Sequence, residues 1–86
     1  MDISQFPERI RAKVLATVVR SMRAGVALRF GAFQGDALPV RVNQIAKPSS
    51  PRLSRMELER WALSACAALP YQIIVEVIQD SPVAGQ

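Results

Sequence analysis

Arginine is the residue type best placed to do chemistry in this 86-residue chain. Nine of the eleven basic residues are arginine, whose planar guanidinium forks onto phosphates and base edges. All eleven lie between Arg9 and Arg60, where the only acids are Asp36, Glu57 and Glu59, so this stretch carries +8 in a chain of net charge +4. A concentrated basic surface is the electrostatic footprint of a polyanion binder. Other chemistries are poorly supplied. With no histidine and one cysteine, Cys66, there is no zinc cluster, no haem ligation and no His-based triad. Cys66 falls beside apolar helix positions and has no histidine to activate it, so it reads as a small core filler. Glu57 and Glu59 diverge on a helix, and no phosphate loop, dinucleotide fingerprint or paired-carboxylate motif occurs. A non-enzymatic binding module is expected, with no cofactor and no metal.

The elements that must position these cations belong to one small domain, expected over residues 1–78, with a flexible tail over 79–86. Half of the chain is apolar, its mass is 9.4 kDa and its mean hydropathy is +0.15. A domain of this size buries only roughly 60–65% of its unfolded surface, so a homodimer is expected. No apolar run approaches the ~20 residues that span a membrane. Asp2, Glu8 and Arg9 interrupt any leader-like stretch, which suggests a cytoplasmic protein.

Phe6, Ile10, Val14, Val18 and Met22 recur every four residues, one apolar stripe of a helix that ends near Gly25. Arg9, Lys13, Arg20 and Arg23 form a second stripe on another face. Pro48-Ser49-Ser50-Pro51 breaks the chain. Ser54 and Glu57 then form a capping box, and Leu53 and Leu58 a hydrophobic staple. The helix so opened presents Leu58, Trp61, Ala62, Ala65 and Leu69 on one face and stops at Leu69-Pro70. Trp61 on that face reads as core rather than as a base-stacking ring. Tyr71 to Ile78 is β-branched and alternating, a strand.

Residues 26–46 admit two readings. In one, Val26, Leu28 and Phe30 alternate with Ala27 and Arg29, Gln34-Gly35-Asp36 turns, and Leu38, Val40 and Val42 return as a second strand. In the other, Val26, Phe30, Phe33 and Ala37 mark one helix face, and Pro39 opens a second short helix. Gly31 and Gly35 cost the helix about 1 kcal/mol each, and local propensity leans to the hairpin.

The segment Arg41-Val42-Asn43-Gln44-Ile45-Ala46-Lys47 resembles the recognition helix of small helix-turn-helix regulators of the XRE and antitoxin type. Gly25-Val26 stand where that family places Gly-Leu, sixteen residues before the arginine, and Ala32 where its second helix carries an alanine. Arg52-Leu53-Ser54-Arg55-Met56-Glu57-Leu58-Glu59-Arg60-Trp61 is similar to the stretch that follows in one subgroup, where a helix and a short strand come next. The likeness spans residues 10–78. It implies a mainly α, helix-turn-helix bundle with one C-terminal β-strand. It implies a sequence-specific transcriptional repressor or antitoxin-like regulator, a homodimer on palindromic operator DNA. Arg41, Asn43 and Gln44 would then face base edges. Lys47, Arg52 and Arg55 would contact phosphates. The strand carrying Tyr71, Ile73, Val75 and Val77 would pair with a second copy, since a lone strand cannot satisfy its backbone. The alternative is an α+β domain of order α-β-β-α-β with a three-stranded sheet. Such a module would bind a protein partner or RNA through its basic face.

Overall fold

The computed structural model describes residues 3–45 and 51–78. The chain forms α1 (Glu8–Arg23), β1 (Val26–Phe30), β2 (Ala37–Gln44), α2 (Arg55–Ala65) and β3 (Gln72–Val77). The fold is α+β, not a mainly α helix-turn-helix bundle. Residues 26–44 are a β-hairpin, and residues 41–44 of the segment expected as a recognition helix are the end of strand β2. β-Branched Val40 and Val42 favour the extended state. Gly35, at φ +64, makes the two-residue reversal between Gln34 and Ala37, a conformation other residues rarely take.

The sheet order is β1-β2-β3, with β1 antiparallel and β3 parallel to β2. β2–α2–β3 is therefore a crossover unit. The C-terminal strand has a partner inside its own chain, which removes the argument that it must find one in a second copy.

Side-chain alternation sends Val26 and Leu28 of β1, Leu38, Val40 and Val42 of β2, and Val77 of β3 to the helix-covered face, where they are buried. Ile10 and Val14 of α1, Leu58 and Ala62 of α2, and Cys66 at the C-terminal cap of α2 close the core from above. The buried stripe of α1 departs from the expected one. Thr17 and Ser21 are buried, whereas Met22 is 53% exposed and Val18 half-buried. A strict four-residue spacing drifts about 40° per step around a helix, so Val18 and Met22 rotate off the sheet. Thr17 is buried without penalty because its hydroxyl donates to the Lys13 carbonyl at 2.8 Å. Ser21 accepts Trp61 Nε1 across from α2 at 3.4 Å.

α2 carries the expected capping box, with Ser54 Oγ accepting from the Glu57 amide and Glu57 from the Ser54 amide. The bond from the Ser54 amide, with the Ser54 hydroxyl beside it, holds the Glu57 carboxyl below its usual range. The helix ends at Ala65, four residues before the expected stop. Phe6, Phe33 and Tyr71 pack edge-on or tilted, with ring centroids 4.8–6.0 Å apart. They tie the lead segment, the hairpin loop and the start of β3 together.

Pro39 is the third residue of the central strand, where a missing N–H is normally excluded. The antiparallel register pairs it with Gly31, whose amide donates to the Pro39 carbonyl at 2.9 Å. The return bond to the Gly31 carbonyl is the one proline cannot supply. Gln5 supplies it instead: Nε2 donates to that carbonyl at 2.8 Å, and Oε1 accepts the Phe33 amide at 3.2 Å. Gln5→Ala is expected to cost about 1–2 kcal/mol, the scale of two lost hydrogen bonds. Pro39→Ala, by restoring the backbone donor, should shrink that cost; a double-mutant cycle by urea unfolding measures the coupling.

Candidate functional site

Both helices cover one face of the sheet and leave the other bare. Ala27, Arg29, Pro39, Arg41, Asn43, Ile74 and Glu76 project there by alternation. Arg29 and Arg41 are direct cross-strand neighbours and Arg41 is in register with Glu76. Arg41 Nε lies 3.3 Å from Glu76 Oε1, with both side chains nearly two-thirds exposed. Like charges opposite one another repel, and Glu76 offsets this on one side only.

The residues expected to read bases are divided by this geometry. Arg41 and Asn43 lie on the bare face of β2, and Asn43 Nδ2 reaches only the neighbouring Gln44 carbonyl at 3.4 Å. Gln44 points to the opposite face. Its amide donates to the Pro51 carbonyl at 2.8 Å and accepts the Leu53 amide at 2.7 Å, fastening the approach to α2. On a helix the three residues would spread over an arc of about 160°; on a strand successive side chains oppose, so Arg41 and Asn43 share one face and Gln44 takes the other. Of the expected phosphate contacts, Arg52 and Arg55 are exposed at the entry to α2, and Lys47 lies outside the described residues. Of the expected dimer strand, Ile73 and Val75 are half-buried and Val77 is buried, all facing α2. Tyr71 belongs to the ring cluster with Phe6 and Phe33.

The longest array of free cations is on α1. Arg9, Lys13, Arg20 and Arg23 fall within an arc of about 80° and span about 21 Å of helix axis. All four are exposed, and among the described residues no acidic partner engages any of them. Arg11, by contrast, is committed to the Phe6 and Ser4 carbonyls. Leu15, Val19 and Met22 occupy the opposite solvent flank of the same helix, each 45–53% exposed. The solvent side of α1 is thus half basic and half apolar.

The helix packing determines the chemistry of Cys66. It is fully buried, and burial pushes its thiol up to about 11. A thiolate is therefore disfavoured at neutral pH, and with it nucleophilic chemistry. No cluster of metal-ligating side chains occurs among the described residues. No helix there is long and apolar enough to cross a membrane. Comparison with family models, curated proteins and solved structures returns no match for this chain.

Two outcomes test these placements. Gln44→Ala should destabilise the protein by about 1–2 kcal/mol through two lost bonds, whereas Asn43→Ala should stay within about 0.5 kcal/mol; chemical denaturation distinguishes them. At pH 8 a thiol reagent should label Cys66 only as fast as the protein opens. Because the folded thiol keeps its proton to higher pH than the unfolded one, the stability it contributes should hold below about pH 9 and fall away towards pH 11.

Proposed function

We propose that this chain is a small α+β module that binds the phosphodiester backbone of a nucleic acid along the basic flank of α1. The observation that carries the reading is the run of Arg9, Lys13, Arg20 and Arg23, exposed and unpaired along one edge of a helix whose other faces are core and apolar. Each such cation releases condensed counterions when it meets a phosphate. Arginine adds two-pronged hydrogen bonding to the charge.

Surface composition supports a backbone contact over base stacking. Single-strand binders present aromatic platforms, but here Phe6, Phe30, Phe33 and Tyr71 pack against one another, and Trp61 is half-buried with its indole turned to Ser21. The contact would therefore be to a duplex, with little sequence preference. Arg29 and Arg41 on the bare sheet face are a lesser feature, since Glu76 already engages Arg41. Reading of a palindromic operator by Arg41, Asn43 and Gln44 is not part of this proposal, because the helix it requires is the strand β2.

Fluorescence anisotropy with labelled DNA and RNA duplexes and a salt titration tests the proposal. Binding should weaken linearly in log–log form with salt, by about 0.9 per phosphate engaged. The triple variant Arg9→Ala, Lys13→Ala, Arg20→Ala should flatten that slope by about two to three and leave the thermal melt nearly unchanged. Unchanged affinity in the triple variant, or loss of binding on Arg29→Ala with Arg41→Ala instead, would falsify it.

A further inference from the structure

We infer that the open edge of β3, together with the adjoining flank of α2, is the docking surface for a second copy of this chain. The parallel ladder to β2 uses alternate residues of β3 and its flanks. The Gln72 amide donates to the Asp36 carbonyl at 3.3 Å and the Ile78 amide to the Val42 carbonyl at 2.8 Å. By this parity the backbone groups of Ile73, Val75 and Val77 point away from β2, and among the described residues nothing pairs with them. An open row of donors and acceptors on a β-branched strand is a template for another strand. Natural edges are blunted by lysine, proline or bulges; β3 has none of these, and its single charge, Glu76, is turned to the bare face.

The side chains argue for the same occupant. The inward-facing Ile73 and Val75 are only half-buried, although their partners on β2, Leu38 and Val40, are completely covered. The cover missing over β3 is on the outer side of α2. Trp61 turns towards α1, where it meets Ser21. Leu63 is two residues on, about 160° around the helix, so it looks away from α1 and over the β3 edge, 44% exposed. Ile74 and Ile78, on the other face of the strand, are 42% and 38% exposed. An apolar strip thus borders the open edge above and below.

A second copy related by a two-fold axis normal to the sheet satisfies all of this at once. Antiparallel β3 strands centred on Val75 would place Ile73 opposite Val77 of the second copy and continue the sheet to six strands. α2 packs over both β2 and β3, set back from the edge by about half the strand spacing. Two such helices facing each other across a new strand pair would stand about 8–10 Å apart, the ordinary helix–helix distance. Their Leu63 side chains would fill the seam. β1 is the poorer edge: among the strands α1 packs chiefly on β1, so two copies of α1 would crowd each other above a β1–β1 junction.

Sedimentation velocity of the full chain from micromolar to millimolar concentration measures the association. A monomer–dimer equilibrium is expected. Leu63→Lys and Ile74→Lys, both at exposed positions, should each weaken it on the order of tenfold or more, while Val19→Lys on α1 should leave it intact. Amide exchange on the wild type adds a readout that needs no variant. The Ile73, Val75 and Val77 amides should gain protection as concentration rises through the dimer range. A chain that stays monomeric at millimolar concentration overturns the inference. So does a dimer lost on Val19→Lys but not on Leu63→Lys, or one whose β3 edge amides gain no protection.

Discussion

Among the described residues β2 is the one strand with a neighbour on both sides, and the fold depends on satisfying its backbone in both directions. Its inward side chains, Leu38, Val40 and Val42, are completely buried and touch the layer built by both helices. Yet it carries Pro39, which removes a donor from the ladder to β1. Two glutamines, Gln5 from outside the sheet and Gln44 at the end of β2, complete the arrangement. Gln5 supplies the bond that Pro39 lacks, and Gln44 secures the chain leaving the strand by holding Pro51 and Leu53. The first tethers the segment before α1 and the second the segment before α2, so the placement of both helices follows from the needs of one strand.

Around this strand the surface is divided by chemical type. α1 gives one sector to the core, one to four cations and one to Leu15, Val19 and Met22. α2 spends its core sector on Leu58, Ala62 and Cys66 and turns Leu63 outward. The bare sheet face carries a smaller charge cluster in which Glu76 restrains Arg41. A protein built this way has electrostatic and apolar surfaces that do not compete for the same residues. Phosphate contact and self-association can therefore coexist. A two-fold through β3 would set both α1 cation runs on the same side of an extended sheet, doubling the charge presented to a long polyanion, with the gain from linked binding events that follows.

Cys66 shows how packing removes a chemistry that composition allows. A lone thiol in a chain without histidine has few ways to be activated, and the junction of α2 with the sheet closes the remaining one by desolvating it.

Local pattern alone determined the parts of this protein that depend on neighbours in sequence. The Ser54–Glu57 cap, the basic run on α1 and the β-branched C-terminal strand are all legible, because hydrogen bonds three residues apart and rotation of about 100° per residue need no distant partner. The last apolar positions of α1 were misassigned by that same periodicity, since which sector is buried depends on where the sheet lies, and a buried Ser21 needs Trp61 from forty residues away. Residues 26–44 stayed ambiguous for a deeper reason. Val26, Phe30 and Phe33 suit a helix face and Leu28, Val40 and Val42 suit a hairpin. Only the pairing of Val26 with Gln44, and of β2 with a strand 35 residues later, decides between them. That pairing also set Arg41 and Asn43 on one face and Gln44 on the other, since a strand sends successive side chains to opposite faces. Sequence determined which residues could carry charge and which could be buried. The long-range ladder, whose free energy comes from contacts that no local window contains, decided which of them share a surface.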